Sequence, residues 1–406
     1  MDVPSQAPAR TEGSTGRSVA ADCLRILAVS HSCVVGLNQQ RYEALARFSD
    51  LDLTLMFPTH YVSDFDGRRL DPDKTTAERY RIVSGPPVLA GNGSLYFYRR
   101  GLREAFDRSQ PQVVFVDEEP WSLSAAQMVW AAQRRGARIV FFTNQNLRKA
   151  LPPPFCWIQR LVFRAAGWAF TAGEEAAEVL RWKGYTGPVS LLPFGVDPTL
   201  FRPQDATSLR EDLGLQGTVF GYFGRLVPEK GVAIFARAAL GLCDRFPEAV
   251  SFLLAGSGPE GDRLRQMIGA TPHAPRFVFV DRTLREEAPR YLCAADVVVV
   301  PSLRTRRWKE QFGRILVEAL ACGVPVIGSD SGETPFLIRR LEGGVVVPEG
   351  NVEALADAMA AMTREPARRQ ALAETGRARV LAGYTHEAVA ATMRDVFLKV
   401  ARADRR

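Results

Sequence analysis

The sequence has no apolar run of the roughly 18 residues a membrane-spanning helix needs, which argues against a transmembrane segment. It has no Cys-x-x-Cys pair. Its six cysteines (Cys23, Cys33, Cys156, Cys243, Cys293 and Cys322) are scattered, and no histidine stands at metal-ligand spacing from them. Zinc sites, redox dithiols and a disulfide framework are therefore not expected, and reduced thiols in a cytoplasmic protein are. The Gly-x-Gly-x-x-Gly fingerprint of dinucleotide-binding loops is also missing: the first strand runs into Ser30–Gly36, and a later one into Gly256-Ser-Gly258.

What is present reads as an ordinary globular chain, 46% hydrophobic and 24% charged. Its 406 residues exceed what one hydrophobic core usually supports, so two domains are expected. Residues 1–22 are rich in Ser, Ala, Pro, Gly and Thr without an apolar stretch, the composition of a disordered leader rather than a secretory signal. The net charge of +7 suits phosphates, whether of a nucleotide or of an anionic membrane face. Nucleic acid is not an expected partner, because the basic residues are spread along the chain and no helix joins dense Lys/Arg to aromatics.

Apolar β-type runs alternate with helix-length segments from end to end. Strands are expected at Leu24–Val29, Leu51–Phe57, Gln112–Val116, Ala137–Phe142, Gly167–Thr171 and Pro188–Leu192. A second set is expected at Thr218–Tyr222, Ser251–Ala255, Phe277–Val280, Asp296–Val300, Val324–Gly328 and Gly344–Val347. Near-continuous Val/Leu/Ile/Phe runs fit strands buried on both faces, and the alternation fits parallel, doubly wound sheets. The break falls at Pro193–Gln204, where Pro193, Pro198, Pro203 and Gly195 mark a connector able to hinge. The expected division is a domain over 23–195, a second over 205–382, and a closing segment over 383–406 with a helix from His386 to about Ala401.

In open α/β folds ligands bind beyond the carboxyl ends of the strands. Three loops of the second half qualify. Gly221-Tyr-Phe-Gly224-Arg225 leads through Pro228 to Lys230-Gly231, placing two cations near a helix start, where a diphosphate is well held. Gly256-Ser-Gly258-Pro259 is a Gly-rich turn, weak by itself. The third runs from Pro301-Ser302 through Trp308 and Glu310 into a helix expected from near Phe312 to Gly323, with Glu318 inside it. Glu310 and Glu318, eight residues apart, would sit about 80° apart on a continuous helix. They therefore address different parts of one elongated ligand, with the amides of Phe312 and Gly313 beside it. Glu318, among apolar neighbours, needs a hydrogen-bond partner, either a sugar hydroxyl or a structural arginine. The cluster Arg304, Arg306, Arg307 and Lys309 is a solvated loop face or a phosphate contact.

These motifs, in this order and spacing, resemble the family 4 retaining glycosyltransferases, of GT-B fold. The resemblance runs from about Leu24 to Val400 and is densest from Gly221 to Gly350, including Gly323-Val-Pro-Val-Ile-Gly-Ser-Asp-Ser-Gly-Glu-Thr-Pro-Phe-Leu-Ile338. It implies two Rossmann-like domains facing a central cleft, with the last helix returning to the first domain. It also implies a nucleoside-diphosphate sugar donor, a hydroxylated acceptor, and no metal or other cofactor. Position by position, it makes Arg225 and Lys230 the diphosphate ligands, Glu310 the ligand of donor-sugar hydroxyls and Glu318 that of the ribose. Gly224, Arg282, Thr283, Phe312, Gly313 and Arg314 complete the donor side. On the acceptor side stand Gly36, His31, Glu118, Glu119, Asn144, Gln145 and Asn146; Gln145 lies where many relatives carry a histidine.

Asp117-Glu118-Glu119 binds a hydroxylated or cationic acceptor or is a solvated strand end. His31 and His60 are acceptor contacts or satisfied histidines. The amphipathic stretch from Leu151 to Arg164 packs on the core or attaches peripherally to the inner face of a membrane holding a lipid-linked acceptor. A GT-B-type epimerase and a non-catalytic nucleotide-sugar binder are the alternatives of the same architecture. Base, sugar, acceptor and oligomeric state stay open.

Overall fold

The computed structural model describes residues 23–63, 67–246, 249–281 and 285–403. They form two parallel sheets. The first has seven strands in the order Val189–Leu191, Ala166–Thr171, Arg138–Thr143, Val113–Val116, Leu24–Val29, Leu51–Pro58 and Arg81–Gly85. The second has six, in the order Phe277–Val280, Val250–Ala255, Thr218–Phe223, Val297–Val300, Val326–Ser329 and Gly344–Val347. Every pairing within the two sheets is parallel. Central strands such as Val113–Val116 and Val297–Val300 are buried at every position, as expected for sheets covered on both faces.

Twelve strands agree with the apolar runs of the sequence, and Arg81–Gly85 joins them at the edge of the first sheet. Its two apolar residues, Ile82 and Val83, make too short a run to stand out, and Arg81 is held instead by a two-pronged pairing with Asp52 at 2.7 and 2.8 Å. The first domain also carries two short antiparallel ladders, Tyr61–Val62 with Arg69–Leu70 and Pro87–Val88 with Phe97–Tyr98.

The last helix, His386–Arg402, belongs physically to the first core. Val389, Ala390, Met393, Val396, Phe397 and Val400 are buried within it, and the Phe397 ring lies 5.6 Å from Phe115 and 6.2 Å from Phe170. The chain therefore crosses between domains twice, and the crossings run side by side: Val196 N donates to Tyr384 O at 2.8 Å. The Pro-rich connector is packed rather than loose, since Val196 and Phe201 are buried in the second domain. The two sheets present their carboxyl ends to each other across a cleft, where most of the sequence's candidate residues lie.

Candidate active site

On the second domain, Pro228–Lys230 forms a single 3-10 turn after the strand Thr218–Phe223, and the helix Val232–Arg245 follows. Gly231 joins them at φ 69°, a left-handed conformation that favours glycine, and a Cβ there would lie 1.8 Å from Pro301 O. That close approach brings the loop carrying Lys230 against the loop leaving Val297–Val300. Lys230 Nζ consequently meets Glu310 Oε2 at 2.6 Å, with the Trp308 ring 4.9 Å from the ammonium. Ser302 Oγ, fully buried, donates to the same carboxylate oxygen at 3.0 Å. Only 7% of Glu310 is exposed, so the pair is largely removed from water and strongly coupled.

Arg225, on the same loop as Lys230, is half exposed and lies 3.9 Å from Glu229, while Gly224 N donates to Ala255 O at 3.0 Å. The helix bearing Glu318 spans Arg314–Ala321 and starts two residues later than the sequence suggests. Gly313, at φ 78°, caps it, and Phe312 is buried ahead of it, its ring 5.3 Å from Phe194 of the connector. Glu318 lies 3.6 Å from Arg285, an ion pair longer than a hydrogen bond. Burial raises its carboxyl, against the pull of Arg285 and Arg314. Burial lowers Arg314 to about 10, which leaves it a cation at neutral pH; its guanidinium sits 4.3 Å from the Phe194 ring and donates to Asn38 Oδ1 at 3.2 Å.

The facing loops of the first domain are dense in buried polar groups. Glu118 accepts His31 N and faces His31 Nδ1, both at 2.6 Å, and accepts the Tyr96 hydroxyl. The imidazole is walled by Tyr61 and Tyr96, ring centres 4.7 and 5.6 Å away. Asp117 takes Arg41 and the Tyr42 hydroxyl, the latter at 2.9 Å. Glu119 accepts Thr143 Oγ1 at 2.5 Å and Asn144 N at 3.2 Å; burial nonetheless pushes its carboxyl up to about 7. Gly36 N donates to Asp73 Oδ1 at 2.5 Å.

Several contacts span the cleft. Asn146 Nδ2, which also donates to Glu175 Oε2 of its own domain at 2.8 Å, donates to Glu310 O at 2.9 Å, Lys309 pairs with Glu175, and Gln311 Nε2 reaches Asn144 Oδ1 at 3.5 Å. Glu333 accepts the backbone N–H groups of Glu174 and Glu175, each at 3.0 Å, and its carboxyl too is pushed by burial to about 7.

Residues 205–379, the segment that carries Arg225, Lys230, Glu310 and Glu318, match the family model described as glycosyl transferases group 1. Over 334 residues the chain is 34% identical to the GDP-mannose-dependent alpha-(1-6)-phosphatidylinositol monomannoside mannosyltransferase of Mycolicibacterium smegmatis, covering 79% of this chain and 84% of that one. The chain belongs to the group 1 glycosyl transferases. It is also 32% identical over 209 residues to the D-inositol 3-phosphate glycosyltransferase of Rhodococcus jostii, but that match covers 49% of this chain and only 45% of the relative, so the chain spans less than half of its length. In fold it is similar to the sucrose-phosphate synthase of Thermosynechococcus elongatus, with a TM-score of 0.69 at 22% identity over 94% of this chain and 100% of that one.

Within this group 1 glycosyl transferase, the structure brings Lys230, Glu310, Gly313 and Phe312 together, with Arg225 and Gly224 on the loop of Lys230 and Arg314 and Glu318 on the helix that follows. Arg282 and Thr283 lie outside the described residues. The Asp117–Glu119 run is not a solvated strand end: Asp117 and Glu118 are 7% and 2% exposed, and the cations they hold are the protein's own Arg41 and, when protonated, His31. The partner that buried Glu318 requires is supplied in part by an arginine, Arg285. Asn146 meets the Glu310 segment rather than standing apart on an acceptor wall, and the Gln145 side chain turns back on its own loop, accepting Leu147 N at 3.0 Å. His60 pairs only loosely with Thr59, at 3.4 Å. Of the basic cluster, Arg306 and Arg307 are exposed, Arg304 pairs with Glu349 and Lys309 crosses to Glu175. The residues that sequence reasoning left without a role are Ser302, Trp308, Glu175 and Glu333. Ser302 ends a buried strand beside Glu310, a position that could have marked it; Glu175 and Glu333 act through the other domain and carry no local signal.

Proposed function

We propose that this protein is a metal-independent, retaining glycosyltransferase that moves a hexosyl group from a nucleoside-diphosphate sugar to an acceptor hydroxyl. The reading rests on the Lys230–Glu310 pair at 2.6 Å, set beyond the carboxyl ends of adjacent strands, with Arg225 on the loop of Lys230 and Glu318 in the helix that follows Glu310. A sugar nucleotide exchanges this internal pairing for two external ones: phosphate oxygens take the Lys230 ammonium, and sugar hydroxyls donate to the Glu310 carboxylate. Arg225 and Lys230 then stabilise charge gathering on the departing diphosphate, the electrostatic work a metal ion performs in other enzymes. The leaving diphosphate takes the acceptor proton on the same face of the sugar, which gives retention without a pair of catalytic carboxylates.

A thermal-shift screen of UDP, GDP and ADP, then of their sugars, tests the donor. GDP comes first, because the Mycolicibacterium smegmatis relative is named as GDP-mannose-dependent. One nucleotide at about 100 times its dissociation constant adds about 2.7 kcal/mol of stability. The shift and the later transfer rate are expected to survive EDTA; no shift with any nucleotide, or loss of transfer on chelation, would sink the reading. The product's anomeric configuration, read by NMR, checks retention.

The acceptor side supports a lipid-linked substrate. Helix Phe155–Ala165 buries Gln159 and Val162 but leaves Trp157 61% and Leu161 42% exposed, beside exposed Arg160 and Arg164. The helix carries no acidic residue, a pattern suited to an anionic lipid surface. Binding to vesicles containing anionic phospholipid, measured by co-sedimentation, is expected to fall about tenfold in a Trp157→Ser/Leu161→Ser variant. Equal binding by both proteins would remove this helix from the proposal. Among the described residues no helix is long and apolar enough to cross a membrane.

A further inference from the structure

The carbonyl oxygen of Glu310 accepts one hydrogen bond from each domain. Asn146 Nδ2, on the loop after the first-domain strand Arg138–Thr143, donates at 2.9 Å, and so does the backbone N–H of Glu333 in the second domain. The Glu333 side chain then crosses the cleft to accept Glu174 N and Glu175 N. Those amides open the helix Glu174–Trp182, whose N-cap is Gly173, a residue with no side chain to satisfy them. Glu333 is thus an N-cap supplied by the opposite domain. Glu175 closes the circuit, its carboxylate taking Asn146 at 2.8 Å and Lys309, the neighbour of Glu310.

Missing side chains make room for this arrangement. Gly332 sits at φ 60°, and a Cβ there would come 2.2 Å from Glu310 O. Gly173 has extended backbone that any residue adopts, so what opposes a side chain at that position is steric: its Cβ would lie 2.1 Å from Glu333 Cδ. Two hydrogen bonds to one carbonyl fix the peptide plane of Glu310 and so the direction in which its side chain leaves the backbone. With the domains apart, Glu310 loses the Asn146 bond, and the helix amides and Glu333 return to water.

We propose that Asn146 and Glu333 are positioning residues that couple engagement of the two domains to the placement of Glu310, so that the sugar-binding carboxylate is set only when the cleft is closed. The proposal rests on the reading of Glu310 as the ligand of the donor sugar. Misplacement by about 1 Å at such a contact is enough to cost two orders of magnitude in rate.

The test compares binding of the sugar nucleotide with binding of its nucleoside diphosphate, so it needs no acceptor. Calorimetry on GDP-mannose and GDP, on UDP-glucose and UDP, and on ADP-glucose and ADP gives, for the pair the protein binds, a ratio of dissociation constants that isolates the sugar contact. In Asn146→Ala and in Gly173→Ala that ratio is expected to rise about tenfold, while the diphosphate itself binds within about twofold of wild type. Hydrogen exchange at the Glu174 and Glu175 amides is expected to speed up about tenfold in Gly173→Ala and Glu333→Ala, with the melting temperature little changed. Asn146→Ala introduces no clash, so the test survives should Gly173→Ala fold poorly. Glu310→Ala runs in the same series. If it raises the ratio and the Asn146 and Gly173 variants do not, the coupling is wrong and the donor site stands. If Glu310→Ala leaves the ratio at the wild-type value, or no pair binds, the donor-site reading itself fails.

Discussion

Glu310→Ala is expected to lower sugar transfer by about 10²- to 10³-fold, the effect of removing one preorganised polar contact to a reacting group. Nucleoside-diphosphate affinity should stay within about threefold, because the proposed phosphate and ribose ligands are other side chains. The carboxylate is 7% exposed and held by Lys230 at 2.6 Å and Ser302 at 3.0 Å; in the proposed reading the donor phosphates take Lys230 away while Ser302 keeps the carboxylate in place. Alanine removes both the sugar contact and the counter-charge of Lys230, and the second loss confuses the first. Glu310→Gln separates them: it keeps the shape and one acceptor oxygen but removes the charge. Transfer by Glu310→Gln is expected to lie between wild type and Glu310→Ala, and both variants are expected to melt below wild type because Lys230 loses its counter-charge. Radiolabelled transfer from the donor found in the screen measures this; a wild-type rate in Glu310→Ala would remove Glu310 from the site.

Much of the fold is readable in the amino-acid sequence, because a strand buried on both faces must be apolar at nearly every position. Leu24–Val29, Phe277–Val280 and Gly344–Val347 coincide end to end with their apolar runs. Arg81–Gly85 was not readable, since an edge strand needs only one apolar flank and this one is anchored through Arg81 to Asp52. The helix of Glu318 starts at Arg314 rather than Phe312 because Phe312 is taken by Phe194 and Tyr384, a tertiary preference invisible in local spacing. The site divides in the same way. Arg225, Lys230 and Glu310, three of the proposed donor ligands, stand in compact motifs at strand ends, and Glu318 follows in the next helix. His31 and the Asp117–Glu118 pair were visible as polar residues at strand ends, but not that they bond within the protein. Their partners, Tyr96 and Arg41, come from segments 65 and 76 residues away from the carboxylates or the imidazole they serve. Glu333 is the extreme case: its carboxylate caps a helix about 160 residues earlier in the chain, in the other domain.

Lys230→Ala is the second large effect, and its signature differs from that of Glu310. In the proposed reading Lys230 meets the donor through its phosphates, which are present in the product as well as the substrate, so both binding and turnover should suffer. An ammonium 24% exposed, with an aromatic ring 4.9 Å away, is shielded enough for its charge to count strongly on an approaching diphosphate. A loss of about tenfold in nucleoside-diphosphate affinity and about 10²- to 10³-fold in turnover is expected, the larger figure reflecting charge that grows as the glycosidic bond breaks. Lys230→Arg keeps the charge but spreads it over a planar fork that does not fit where a compact ammonium meets Glu310, so it should recover binding more than turnover. The comparison also separates charge from shape. If Lys230→Ala loses affinity but keeps the wild-type turnover, Lys230 serves the ground state and the transition state equally. The leaving-group role would then fall to Arg225 on the same loop. If neither quantity moves, the diphosphate does not sit at this turn, and the assignment of the cleft loops must be redrawn from the first-domain side.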